Sequence, residues 1–222
     1  MAITVTDLAE VVYSSGNVFD GLKTSRRDTE DFLRSGSIEG VFSRADLALL
    51  QDLRDVAQFV IDHHHEPIDA CFVQSVNAQL TRAAAIEPGR LRTIDTPIRV
   101  NTRHGRHVPE ALDDQGLQRV IDQALTDADL EESSLELFVS LAKAQPFQDG
   151  NKRTALFVAN ARLIGSHSPK VLTIPVDEND PSLAEMFIDQ LARAYVFDEH
   201  DGVKAMLRTQ GLQPVLSPRS TA

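Results

Sequence analysis

Residues 145–153 carry the side chains in this sequence that are best suited to chemistry. They read QPFQDGNKR and lie between an apolar helical stretch and a second stretch that is apolar almost all the way round. A helix that begins near Asn151 leaves its first backbone N–H groups without helical partners, and such groups bind anions. Gly150 lets the backbone approach a phosphate closely, and Lys152 and Arg153 add positive charge. This spacing predicts a phosphate-binding site.

Asp149 precedes the glycine in this stretch and is a candidate ligand for Mg²⁺, because hard cations take carboxylate oxygen. Lys152 and Arg153 lie in the first helical turn, where their charge opposes the helix dipole. Such an unfavourable placement of charge, without an evident compensating contact, is typical of a functional site. From spacing alone, the alternative remains open that Asp149 only caps the helix and that the two cations are solvated.

The elements that position this stretch are predicted to be helices. Residues 135–142 form an apolar helical stripe that stops at Pro146, and residues 154–164 are apolar on nearly every face. The second pattern predicts a central buried helix that ends at Gly165. Two more helices are expected after it, one begun by Asp180-Pro181 and one that ends at Gly211, with a possible short strand at residues 171–174.

The upstream half is predicted to contain a helical hairpin broken at three histidines. Ser43 can cap a helix whose apolar residues recur at three- and four-residue intervals as far as Ile61, and Pro67 is placed to begin the next helix. We interpret His63–His65 as a solvated helix end rather than a metal site, because neighbours on a helix point about 100° apart. Cys71 lies in the second helix and is expected to be a buried small hydrophobe.

Residues 97–108 have the pattern of a β-hairpin. Ile98 and Val100 alternate with polar residues, and Gly105 supplies a turn before Val108. The surrounding segment is basic, with a single Asp95 against the arginines Arg90, Arg92, Arg99, Arg103 and Arg106. Either the segment recruits an anionic ligand or partner, or it is a solvated hairpin, and both interpretations remain open.

The length, composition and net charge limit the classes of protein to which this chain can belong. The 222 residues, 42% of them hydrophobic, are enough for one substantial core, and we expect a single domain over residues 1–212 and a flexible tail at residues 213–222. The net charge of -11 disfavours nonspecific nucleic-acid binding. No signal peptide and no membrane span are recognisable, which predicts a soluble, cytoplasmic protein.

The string PFQDGNKRTAL at residues 146–156 resembles the signature of the Fic (Fido) family, written His-Pro-Phe-x-Asp/Glu-Gly-Asn-Gly/Lys-Arg. The resemblance extends over roughly residues 35–200. It implies an all-α, mainly helical fold in which the loop opens a central helix and a small β-hairpin flap covers the active site. It also implies transfer of AMP from ATP to a hydroxyl group of a target protein, or of phosphate, as in the Doc branch.

The resemblance assigns roles to the matching positions. It implies that Asp149 is the metal ligand for Mg²⁺, that Gly150, Asn151 and Lys152 form an anion hole, and that Arg153 holds the phosphates of ATP. Phe147 would anchor the loop in the core. Residues 97–108 would be the flap, which positions a segment of an unknown target protein by strand-like pairing.

Two positions depart from the family signature. Gln145 stands where the family has its general-base histidine, and a carboxamide cannot accept a proton from a hydroxyl near neutral pH. Gln145 could still orient a hydroxyl, and His104 or His107 on the flap are conceivable substitutes for the base. Lys152 replaces the more usual glycine, a form shared with Doc-like members, which leaves the choice between AMP and phosphate transfer open.

A regulatory element is also suggested by resemblance. The segment Ser35–Gly40, SGSIEG, resembles the family's inhibitory pattern Ser/Thr-x-x-x-Glu-Gly/Asn, in which the glutamate pairs with an active-site arginine. A second arginine serves this purpose in one subclass, but this chain has Leu156 at that position. Glu39 is therefore expected to pair with Arg153 or Lys152, and the alternative is an ordinary loop.

Together, these features predict an ATP- and Mg²⁺-binding protein that transfers AMP to a target docked at the flap, without nucleic-acid or membrane partners. Gln145 is expected to weaken this activity. Two alternatives remain open: Doc-like protein phosphotransfer, and a catalytically inactive nucleotide-binding module.

Overall fold

Helices make up most of the chain. The computed structural model describes residues 3–83 and 86–215. Its helices are α1 (Ala9–Asp20), α2 (Arg26–Ser35), α3 (Arg44–His63), α4 (Ala70–Asn77), α5 (Asp114–Ala124), α6 (Leu130–Ala144), α7 (Asn151–Gly165), α8 (Ser182–Phe197) and α9 (His200–Met206). Its strands form two antiparallel pairs, β1 (Val100–Thr102) with β2 (Gly105–His107) and β3 (Lys170–Leu172) with β4 (Leu212–Pro214). The mainly helical fold with a β-hairpin is therefore confirmed.

Helix α7 is the centre of the core, as its sequence predicts. Nearly every residue from Asn151 to Ile164 is buried, and α7 packs against α1, α3, α4, α6 and β3. Its last residue, Gly165, lies against the end of α3, where an added Cβ would come within 2.3 Å of the carbonyl oxygen of His64. The end of α3 at His63 is thus fixed by contact with the central helix as well as by its own sequence.

Helices α1 and α2 are attached to this core through the start of α3. The Asp46 carboxylate accepts hydrogen bonds from the backbone N–H of Lys23 at 2.9 Å and of Thr24 at 2.8 Å. The hydroxyl of Ser43 caps α3, as predicted, by accepting from the backbone N–H of Asp46. These bonds fix the α1–α2 connection, and α1 packs against both α3 and α7.

Two predictions for the upstream half are wrong in detail. Helix α4 begins at Ala70 instead of at Pro67, because the Asp69 side chain caps it by accepting from the backbone N–H of Phe72 at 2.8 Å. Cys71 is exposed. The eight-residue helix buries the face that carries Phe72, and Cys71 lies on the outward face.

The hairpin at residues 97–108 is confirmed as β1 and β2, with Val100 opposite His107. The short strand near residues 171–174 is confirmed as β3. Gln213 and Pro214, the first two residues of the predicted tail, pair with β3, and residues 216–222 lie outside the described part of the chain. Among the residues described, no helix combines the length and apolar character needed to cross a membrane.

Candidate active site

The loop between α6 and α7 is closed by its own side chains. Helix α6 ends because Gln145 adopts a left-handed conformation with φ 47°. The Asn151 side chain then bridges the loop: its Oδ1 accepts from the backbone N–H of Phe147, and its Nδ2 donates to the carbonyl of Phe147, both at 2.8 Å. Phe147 is buried, as expected of a core anchor. Asn151 therefore shapes the loop, beyond the anion-hole role that the resemblance assigns to it.

Helix α4 supports the same loop from outside. Asn77 donates to the Asp149 carbonyl at 3.2 Å and to the Thr154 hydroxyl at 3.0 Å. Gly150 has φ 74°, and a Cβ there would lie 2.4 Å from Cδ1 of Leu80. Glycine thus suits this position both for its backbone conformation and for the close approach of Leu80, which follows α4.

Arg153 is a buried cation at the start of α7 with an unpaired donor. Its side chain is 3% exposed. Nε lies 3.4 Å from Asp20 Oδ2 and Nη2 lies 3.3 Å from Asp149 Oδ1, whereas strong charge-assisted bonds measure roughly 2.7–2.9 Å. Nη1 is buried without a hydrogen-bond partner among the residues described. Arg153 therefore retains the capacity to bind an anion.

Burial, together with smaller effects of neighbouring charges, shifts the pKa values of two groups around Arg153. Burial lowers the pKa of Lys152, whose Nζ lies 4.9 Å from the centroid of the Phe19 ring. Burial also raises the pKa of Asp20, against the opposing effect of the Arg153 charge. Titratable groups whose pKa is shifted by burial beside a specific charged partner in a cleft are typical of functional sites. Two carboxylates and two cations meet here at the positive end of α7.

Gln145 faces the protein interior and is only 7% exposed. Its Nε2 donates to the Ala142 carbonyl at 2.6 Å and lies 3.5 Å from the hydroxyl oxygen of Tyr195. The His107 ring lies 5.2 Å from the Tyr195 ring, and its Nε2 donates to the Lys143 carbonyl at 2.7 Å. His104 is held differently, with Nε2 2.7 Å from the carboxylate of Asp189 on α8. Of the two flap histidines, the structure thus links His107 to the surroundings of Gln145.

A cavity of about 300 Å³ lies between the hairpin and α8 and reaches Lys152. It is lined by Val100, Asn101, Thr102, Arg103, Lys152, Ile188, Asp189, Leu191, Ala192 and Tyr195. The structure therefore brings the predicted flap next to the predicted anion site. A larger, more open cleft of about 480 Å³ between α8 and α9 is lined by Arg103 of the hairpin but by no residue of the 145–153 loop.

The interpretation that the arginines of the basic segment recruit an anionic ligand or partner does not hold for Arg92. It is 3% exposed and donates to backbone carbonyls, so it is not available to an anionic partner.

The predicted inhibitory segment lies apart from this site. Ser35 ends α2, and Glu39 and Gly40 are exposed. No hydrogen bond or ion pair joins the Glu39 carboxylate to any residue that the structure describes, so the expected pairing with Arg153 or Lys152 is not formed.

Asp20 faces Arg153 in place of Glu39, because α1 packs against α7 and ends there at the left-handed Gly21. Sequence reasoning missed this residue. An acid followed by glycine at the end of an apolar helix was the available signal, but the acid is aspartate and Ser15 precedes it by five residues instead of four.

The metal prediction depends on Asp149. Among the residues described, no group of three or more His, Cys, Asp or Glu side chains could hold a metal ion. The Asp149 carboxylate is 39% exposed next to Arg153. A single carboxylate fits Mg²⁺, which takes one or two protein ligands and completes its shell with phosphate oxygens and water.

Comparison with known proteins identifies a family and a shared fold. The model of the Fic/DOC family matches residues 49–163, which include the whole loop. Curated protein sequences give no match. Solved structures with a similar fold include a fragment of Fic-1 from C. elegans, at 20% identity and TM-score 0.68, which covers 91% of this chain and 59% of that chain.

A Fic-domain-containing signaling protein from Bacteroides thetaiotaomicron is similar at 16% identity and TM-score 0.63, covering 92% of this chain and 81% of that one. A Fic family protein from Desulfovibrio desulfuricans is similar at 15% identity and TM-score 0.62, covering 92% and 62%. The chain thus spans less than two thirds of the length of the C. elegans and Desulfovibrio structures.

Proposed function

The chain belongs to the Fic/DOC family, and from this premise we propose that it binds ATP with Mg²⁺ and transfers AMP to a hydroxyl side chain of a target protein. The observation that carries the proposal is the buried Arg153 guanidinium with its unpaired Nη1 at the start of α7. A buried donor without a partner is costly, and a phosphate oxygen would satisfy it.

Different residues of the loop would bind the phosphates and the Mg²⁺ ion. Arg153 and Lys152 would neutralise the phosphates, and the backbone N–H groups that follow Gly150 would donate to them. Asp149 would hold Mg²⁺, which, when bound, neutralises charge on the phosphates and the leaving group. The cavity between the flap and α8 adjoins Lys152 and provides room for the rest of the nucleotide.

In the transfer, the target hydroxyl oxygen bonds to the α-phosphorus of ATP while the bond to the β-phosphate breaks and pyrophosphate leaves. The hydroxyl proton must go to a base. Gln145 cannot accept it near neutral pH, so its role is limited to orienting the hydroxyl through its amide. We therefore expect a slow reaction.

Two other functions are each favoured by one residue. Lys152 in place of glycine is compatible with Doc-like transfer of the γ-phosphate. Gln145 in place of histidine is compatible with a module that binds nucleotide without chemistry.

Labelled ATP distinguishes the three functions. The purified protein, alone and with a cell lysate, is incubated with Mg²⁺ and ATP labelled at the α- or the γ-phosphate. AMP transfer puts α-label into protein, and Arg153→Ala removes it. Entry of γ-label instead would assign phosphotransfer. Saturable ATP binding without either label would assign the binding module, and absence of ATP binding would overturn the proposal.

A further inference from the structure

Arg92 is joined to the active-site loop on one side. Its backbone N–H donates to the Pro146 carbonyl at 2.9 Å, and its Nε donates to the Gln145 carbonyl at 2.6 Å. The neighbouring Leu91 forms an isolated β-bridge with Phe147. The segment that carries Arg92 therefore pairs with the first residues of the loop.

The other end of the same guanidinium is joined to the base of the hairpin. Nη2 donates to the carbonyls of Pro109, at 2.9 Å, and of Glu110. These residues follow directly after β2, which ends at His107. One planar side chain thus connects the loop at Gln145 with the chain that leaves the flap.

This arrangement is not explained by charge pairing. Arg92 is 3% exposed, and burial alone lowers its pKa, without an opposing carboxylate among the residues described. A buried guanidinium is costly unless its donors find acceptors, and here Nε and Nη2 donate to backbone carbonyls from two separate segments. The fork geometry of arginine serves both segments at once, which the single ammonium of lysine cannot do.

We propose that Arg92 is a positioning residue that fixes the flap hairpin relative to the Gln145–Arg153 loop. Its consequence for catalysis rests on the proposed function: the flap would present the target hydroxyl at a set distance from the nucleotide phosphates. The order of the flap itself does not depend on that function.

Hydrogen exchange of the intact protein without ligand tests the proposal. Arg92→Lys and Arg92→Met are compared with wild type, and Arg90→Lys is the matched control because Arg90 is 71% exposed two residues earlier. Loss of one charge-assisted hydrogen bond is expected to speed exchange of the β1 and β2 amides by roughly 10- to 100-fold. Exchange in α3 and α7 should stay at the wild-type rate, and Arg90→Lys should leave all rates unchanged.

Two further measurements separate positioning from stability. ATP affinity with Mg²⁺ should stay within about 2-fold of wild type in Arg92→Lys, while self-labelling from α-labelled ATP should fall about 10-fold or more, because misplaced groups slow the chemical step. Absence of self-labelling in wild type would contradict the proposed function only, and flap exchange would still decide the role of Arg92.

Three results would overturn the proposal. One is wild-type exchange in the flap of a folded Arg92→Lys protein. Another is an equal rise of exchange in the flap, α3 and α7, which would mean global destabilisation. The third is failure of both variants to fold, which would assign Arg92 to the stability of the whole fold.

Discussion

Gln145 stands where the signature that this sequence resembles has a histidine, on a loop that the Asn151 side chain closes. We expect Gln145→His to raise the initial rate of α-label transfer by about 10²- to 10⁴-fold, because it supplies a base on a preformed site. The rate is measured at several pH values on either side of neutrality. Gln148→His, the same substitution elsewhere in the loop, is the control and should leave the rate unchanged. Equal rates in Gln145→His and wild type would favour the binding module.

Asp149 is the acid of the loop and the predicted Mg²⁺ ligand. We expect Asp149→Ala to abolish the strengthening of ATP binding by Mg²⁺, because a carboxylate oxygen is then missing from the shell of the cation. Calorimetric titration of ATP with and without Mg²⁺ measures the effect. Glu66→Ala, at an exposed acid, serves as the control. The same Mg²⁺ dependence in Asp149→Ala as in wild type would remove Asp149 from the metal site.

At the residue scale, the sequence predicts the features that depend on a residue and its near neighbours in the chain. The start of α7 at Asn151 follows from the loop sequence. The partners of Arg153 do not, because Asp20 reaches it only through the packing of α1 on α7. The contacts of Arg92 with two separate segments likewise cannot be predicted from the sequence, because tertiary structure determines its carbonyl partners.

Asp20, at the end of α1, lies next to Arg153 and is the acid that we expect to weaken anion binding there. We expect Asp20→Asn to strengthen ATP binding by roughly 5- to 30-fold, about 1–2 kcal/mol, because the carboxylate competes with phosphate for Arg153. AMP affinity should change much less if the terminal phosphate is the competitor. Both affinities are measured with Mg²⁺ present.

Glu39→Gln is the matched control for that experiment and should leave both affinities unchanged, since Glu39 is exposed. If Glu39→Gln strengthens ATP binding and Asp20→Asn does not, the segment Ser35–Gly40 regulates nucleotide binding and Asp20 does not.

At the element scale, helices were predictable where both periodicity and caps mark them. Ser43 marks α3, and the uniformly apolar residues 154–164 mark α7 as central. Pro67 suits a first helical turn and therefore predicts a start for α4 that is too early, since Asp69 supplies the cap that the backbone uses. Exposure of Cys71 depends on which face of a short helix meets the core, and the eight residues of α4 do not determine this.

The molecule as a whole is held at its C-terminal side by a charge network between α6 and α9. Glu136 accepts from His200 at 2.7 Å and pairs with Lys204 at 2.9 Å. The His200 hydrogen bond, with help from Lys204 and against the effect of burial, lowers the Glu136 pKa from 4.5 to about 2. A carboxyl group with a lowered pKa stabilises the fold above its unfolded pKa, and that stabilisation is lost as the pH falls from about 4.5 towards 2.

We therefore expect the free energy of unfolding to fall by about 1–3 kcal/mol over this pH interval through Glu136. Urea denaturation at pH values above and within the interval measures it. Glu136→Gln should be less stable than wild type at neutral pH and should show a flatter pH dependence. Glu185→Gln, at an exposed glutamate, should behave as wild type. Parallel pH profiles for wild type and Glu136→Gln would show that other carboxyl groups control acid unfolding.

The pair between Asp20 and Arg153 joins two parts of one polypeptide that are more than a hundred residues apart in sequence. Its formation is a unimolecular equilibrium, so dilution of the protein does not weaken it. Whatever restraint Asp20 exerts on Arg153 is therefore the same at nanomolar and at millimolar protein concentration. A restraint supplied by a separate polypeptide would disappear on dilution below its dissociation constant. A concentration series of ATP binding to wild type and Asp20→Asn would show which of these two behaviours the site follows.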